Sequence, residues 1–107
     1  MKKLKKAPSG LGVKGKSFWH RVTSDFEFSE AHDLERLRLA CQTLDDLEEA
    51  ERSIRAEGRY LKNRFGELRE NPALKTVRDS RVVFCRIIRE LGLDIEGAPE
   101  SRPPRQY

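Results

Sequence analysis

A chain of 107 residues, 36% hydrophobic and 37% charged with a formal net charge of +4, has room for one small domain and excludes a multi-domain enzyme. Its longest apolar run, Val82 to Cys85, is far too short for a bilayer span or a signal-peptide core, so an intracellular protein with no membrane partner is expected. Cys41 and Cys85 show no Cys-x-x-Cys or Cys/His spacing, which excludes a disulfide framework or zinc site and reads as two reduced core thiols.

The N-terminal segment, residues 1–12, is a basic arm. Lys2, Lys3, Lys5, Lys6, Lys14 and Lys16 fall within the first 16 residues without one acid, and the Lys, Pro, Ser and Gly composition up to residue 12 predicts a flexible stretch. A short helix follows from Val13, with Phe18, Trp19 and Val22 on one face, leading through Phe26 and Phe28 into an extended connection that ends at residue 28. Residues 29–58 form the long element: Ser29 is the expected N-cap, Glu30 and Asp33 complement the helix dipole, and Gly58 ends it. Its apolar stripe runs through Leu34, Leu37, Cys41, Leu44, Leu47 and Ile54. About 28 residues span roughly 40 Å, a length best stabilised by packing on a second helix.

Residues 59–70, RYLKNRFGELRE, predict a short β-hairpin or ordered loop around Gly66. The partner helix occupies 71–92: Asn71 caps it, Pro72 takes the first position, Val77, Phe84, Ile88 and Leu91 face the long helix, and Gly92 ends it. Val83 and Ile87 widen that stripe and predict burial on two sides. Residues 93–107, with Gly97, Pro99, Pro103 and Pro104, read as a flexible tail. The expected fold is therefore mainly all-α, a short helix and a long antiparallel α-hairpin with a small β-hairpin or loop between its arms. In so small a chain, association between subunits is expected to supplement the core.

One enzyme pattern is satisfied: Gly10 to Ser17 fits G-x-x-x-x-G-K-[ST], the loop whose amides and lysine hold phosphates. That chemistry needs a preceding core strand and a parallel sheet, and MKKLKKAPS supplies neither, so a Gly/Lys-rich lead-in to a helix is the better reading. The acids Asp45, Asp46, Glu48, Glu49 and Glu51 crowd one helix as a solvated or inter-subunit ion-pair face rather than a catalytic or metal site. His20 and His32 lack partners at ligand spacing, and no cofactor is expected. Charge is segregated: residues 26–58 carry ten acids against four arginines, whereas 59–69 carry Arg59, Lys62, Arg64 and Arg69 against Glu67. The arm and the basic hairpin are thus the candidate contacts to a polyanion, with the hairpin aromatics Tyr60 and Phe65 packing inward. Arg78, Arg81, Arg86 and Arg89 on the last helix are suited to pairing with acids of the long helix in a neighbouring subunit.

The order of Gly15-Lys16-Ser17-Phe18-Trp19, Ala40-Cys41-Gln42-Thr43-Leu44-Asp45, the Gly58 break, the Gly66 turn, Asn71-Pro72-Ala73-Leu74 and Leu91-Gly92-Leu93 resembles the small subunit of phage terminases over residues 8–93. Ser101-Arg102 resembles that family's C-terminal element, and residues 94–98 are an insertion before Pro99. The resemblance implies a non-enzymatic protein of the host-cell cytoplasm that assembles into a homo-oligomeric ring. It further implies binding to double-stranded viral DNA at the packaging-initiation site and delivery of that DNA to the large subunit, which carries the ATPase and nuclease. Residues 13–28 offer one helix, too little for a helix-turn-helix, so backbone and shape contacts are expected. The alternative is a helical interaction protein with a nonspecific basic arm and no packaging role.

Overall fold

The computed structural model describes residues 6–28 and 30–93; Lys2, Lys3 and Lys5, the expected cap Ser29 and the tail 94–107 lie outside the described residues. Three helices and one small antiparallel sheet follow in the order α1 (Val13–Asp25), α2 (Ala31–Glu57), β1 (Tyr60–Lys62), β2 (Leu68–Glu70) and α3 (Ala73–Leu91). The long helix begins one residue later than a Ser29 cap implies: Glu30 has extended backbone there, and its carbonyl accepts the Asp33 and Leu34 amides at 3.1 and 3.3 Å. Gly58 closes α2 with φ 92°, a conformation that costs a residue without Cβ little, and its N–H reaches the Ile54 carbonyl at 2.8 Å. At the end of α3, Gly92 adopts the left-handed conformation. Its amide and that of Leu93 donate to the carbonyls of Arg89 and Ile88, both at 3.0 Å, the pair of hydrogen bonds of a Schellman turn.

α2 packs along α3, and α1 crosses the first half of α2. Trp19, Val22, Leu37 and Cys41 form the buried centre, with Phe18, Phe28, Leu34, Leu91 and Leu93 packed around it. Phe18 meets Phe84 edge-on at 5.4 Å, joining α1 to α3. Of the apolar positions expected between the helices, Leu37, Cys41 and Val77 are buried, while Leu34, Leu44, Leu47, Ile54, Phe84, Ile88 and Leu91 are half-buried. Ala40, Ala50 and Ile87 complete the buried set.

Two differences from the sequence reading have plain physical causes. Cys85 is exposed, unlike Cys41, because it lies on the side of α3 that carries Val82 and Arg89 and faces away from α2. In the segment expected to be flexible up to residue 12, Ala7 and Leu11 pack on the core cluster, so part of it has apolar surface to bury.

The sheet is set on the helical pair by Asn71, whose side chain is buried. Its Nδ2 donates to the Gly58 carbonyl at 2.9 Å, its Oδ1 accepts the Ala73 amide at 3.0 Å, and its backbone N–H donates to the Arg59 carbonyl at 2.8 Å. One residue thereby ends α2, starts α3 and fixes the base of the hairpin. Pro72 beside it already has helical dihedrals, as the Asn-Pro pair implies.

Candidate nucleic-acid interface

The phosphate-loop pattern resolves into a different structure. The N-terminal end of α1 is closed by Asp45 of α2, whose Oδ2 accepts the Gly12 amide at 2.7 Å and whose Oδ1 accepts the Gly15 amide at 2.8 Å. A carboxylate thus stands where a phosphate stands in a nucleotide-binding loop, exploiting the same free amides and the same positive end of the helix dipole. Both glycines serve this close approach. A Cβ on Gly15 would collide with Asp45 Oδ2 and lie 2.8 Å from the Cys41 carbonyl, and one on Gly12 would lie 3.0 Å from Asp45 Oδ1. Lys14 turns to Glu48 at 3.7 Å, and Lys6 and Lys16 are exposed. The Gly12, Gly15 and Lys16 amides of the pattern are thus satisfied within the chain.

Burial pushes the Cys41 thiol up to about 12, and the neighbouring Asp45 charge adds to the shift. Among the described residues no group of three His, Cys, Asp or Glu side chains is placed to hold a metal ion, and no helix is long and apolar enough to cross a membrane.

The hairpin stands beyond the helices as an exposed ribbon. Tyr60 pairs with Glu70, Leu61 with Arg69 and Lys62 with Leu68. Its tip is built by Asn63, whose Oδ1 accepts the Phe65 and Glu67 amides at 2.8 and 3.0 Å, a local bonding pattern that asparagine favours in turns. Gly66 supplies the required positive φ of 79°. Arg59, Lys62, Arg64 and Arg69 are all exposed. Arg69 reaches Glu67 at 3.3 Å, and the Arg64 guanidinium stacks over the Phe65 ring at 5.3 Å.

The aromatics do not pack inward as expected: Tyr60 is 60% and Phe65 74% exposed, and Leu68 joins them at 65%. A two-stranded ribbon has no second layer to bury them, and its inward face is occupied by the half-buried Leu61. Lys62 therefore shares the outer face with Tyr60, Leu68 and Glu70, Arg69 lies on the face of Leu61, and Arg64 and Phe65 sit together at the tip. Such a surface suits a partner that offers both phosphates and stackable or apolar groups. The four hairpin cations are brought together, whereas Lys6, Lys14 and Lys16 belong to the separate α1 end. The sequence reading missed Asp45 as the residue that closes α1, since an acid 30 positions away from Gly15 carries no local mark of that role.

No curated protein and no solved structure matches the chain. A family model described as phage terminase, small subunit, matches residues 15–104, a span containing α1 almost whole, the helical pair, the hairpin and the region beyond α3. The chain belongs to the phage terminase small subunit family, and with it to the machinery of phage DNA packaging.

Proposed function

We propose that this protein acts without catalysis of its own as a homo-oligomer in the host cytoplasm, binding double-stranded viral DNA at the packaging-initiation site and presenting it to the large subunit, whose activity it regulates. The observation that carries the DNA-binding reading is the hairpin, four exposed cations interleaved with exposed Tyr60 and Phe65 on a ribbon held off the helical body. A two-stranded ribbon is narrow enough for a DNA groove. The lysine arm, including Lys2, Lys3, Lys5, Lys6, Lys14 and Lys16, adds phosphate contacts. Because each copy supplies few cations, affinity arises from several copies acting on one duplex. The α2–α3 pair, with Leu44, Leu47 and Ile54 only half-covered, supplies the wall between subunits.

Titration of labelled duplex DNA at several salt concentrations tests this reading. Replacing Lys62, Arg64 and Arg69 together by Ala should lower affinity at least tenfold near physiological salt and flatten the dependence of log affinity on log salt, with the native mass unchanged. Equal binding by the variant at every salt concentration would remove the hairpin from the DNA site.

A further inference from the structure

The α2–α3 pair has two open faces of opposite charge. On one, Leu39, Asp46 and Ser53 are spaced by seven residues and share one side of α2. A shallow groove there is lined by Asp46, Glu49, Ala50 and Ser53 together with Ala73 and Thr76 of α3. Positions two apart on a helix lie about 200° apart, so Glu48 and Arg55 occupy the opposite side. Glu48 there reaches both Lys14 of α1 and Arg55, at 3.7 and 3.6 Å. Beyond the part covered by α1, that opposite side opens into a groove of about 770 Å³ with Ile54, Leu74 and Val77 in its lining and Arg55, Arg59 and Arg78 beside them. Through Arg81 and Val82 it continues into a second groove reaching Cys85, Arg86 and Arg89. The two together form a trough along α3.

The trough is neutralised only in part, since Arg81 pairs with Glu51 at 3.1 Å and Arg55 with Glu48 at 3.6 Å and Glu70 also lines it, which leaves its arginines in excess. Asp46 and Glu49 form no salt bridge or hydrogen bond among the described residues, and Arg59, Arg78, Arg86 and Arg89 form no salt bridge among them. Partial burial, then repulsion from Glu49 and Asp45, holds the Asp46 carboxyl above its ordinary range. Exposed apolar groups accompany the charges, Leu39 at 43% on the acidic face and Val82 at 54% on the basic one. Two copies meeting through like faces would set acid against acid or arginine against arginine, which is disfavoured. Meeting through unlike faces pairs both sets of charges and covers both apolar strips.

We infer that the acidic face of α2 in one copy docks on the arginine trough of α3 in the next, a head-to-tail contact in which every copy uses both faces. The inference rests on the oligomer reading above and specifies the surface that builds it. A heterologous contact of this kind closes into a ring when its rotation permits. Val82 and Cys85 within the trough offer no aromatic ring to stack on a base, unlike Tyr60 and Phe65 of the hairpin, and the acids Glu51 and Glu70 in its lining repel phosphates, so a protein occupant is favoured over DNA. The hairpin tip, with Arg64 and Phe65, lies outside both grooves and stays available to DNA.

Two charge-reversed variants test the contact, Asp46→Lys with Glu49→Lys and Arg78→Glu with Arg89→Glu, each checked for native helix content by circular dichroism. Alone, each variant should fall from the wild-type native mass to the 12.4 kDa monomer. An equimolar mixture should form assemblies heavier than either variant alone, because the reversed α2 face of one variant then meets the reversed trough of the other while the two unaltered faces meet each other. Retention of the wild-type mass by either variant, or no gain in mass on mixing natively helical variants, would overturn the contact while leaving the oligomer reading intact. An arginine variant that keeps its mass but binds DNA tenfold more weakly would overturn it by assigning the trough to DNA. A monomeric wild type would overturn both readings together.

Thiol cross-linking provides a test that does not depend on charge reversal. Glu49→Cys treated with a short bis-maleimide should give a ladder of covalent dimers, trimers and higher species that disappears in Glu49→Cys with Cys85→Ser. An assembled protein giving no Cys85-dependent ladder contradicts the contact.

Discussion

Asp45 accepts both glycine amides at the head of α1, and that single side chain decides how the Gly10 to Ser17 segment is used. Gly15→Ala forces a methyl group into the carboxylate and the Cys41 carbonyl, so it should lower unfolding free energy by about 1–3 kcal/mol in urea titrations. Gly10→Ala meets no atom within 4 Å and changes only the strain of a positive φ of 93°, so its cost should be about 1 kcal/mol. A smaller loss at Gly15 than at Gly10 would contradict the Asp45 closure. The pattern was legible in the sequence because a glycine that admits a carboxylate and one that admits a phosphate meet the same steric demand. The acid that occupies the site lies on another helix and was not legible. The cysteines differ in the same way. With its thiol buried and pushed up to about 12, Cys41 should remain unmodified by a maleimide at pH 7.5 while Cys85, exposed on the single copy, reacts completely in the dissociated Asp46→Lys with Glu49→Lys variant, as peptide mass mapping would show.

Periodicity made the helices legible. The spacing of Leu34, Leu37, Cys41 and Leu44 marks one side of α2, and the Asn71-Pro72 and Gly92 signals bracket α3 at both ends. Those cues are local, since capping and apolar spacing depend on the helix itself. The hairpin position was legible for the same reason, through Gly66 and the strand residues on either side, but its exposure was not. Whether Tyr60 and Phe65 are covered depends on a second layer, which no local cue reports. Phe65→Ser, at a side chain 74% exposed, should therefore change stability by no more than about 0.5 kcal/mol while weakening binding to duplex DNA. Leu37→Ala, at a fully buried side chain, should cost about 2–5 kcal/mol. Comparable destabilisation by the two substitutions in thermal unfolding would place Phe65 in a packed environment instead. Cys85 was misread as a core residue because it shares α3 with a broad apolar stripe, and only the crossing of α3 on α2 fixes which side faces solvent.

Across the molecule, apolar burial is concentrated where α1 crosses the helical pair, and Leu37 and Cys41 are the largest side chains fully buried among the described residues. The far half of the α2–α3 pair instead presents grooves, half-covered aliphatic side chains and uncompensated charge. Small domains with this distribution gain stability by association, and in a family whose members serve phage DNA packaging the proposed association would combine several weak cationic ribbons into one strong DNA-binding surface. The fold of each copy was readable from sequence because it follows from contacts within the chain; the division of its surface into acidic, basic and aromatic regions emerges only when helices remote in sequence are brought side by side. The most direct test of an oligomeric DNA-binding subunit is the native mass of the purified protein at moderate salt, by light scattering, with and without duplex DNA. The account predicts one discrete assembly of many subunits that persists when DNA is bound, whereas a monomer of 12.4 kDa at all concentrations and in both conditions would contradict it.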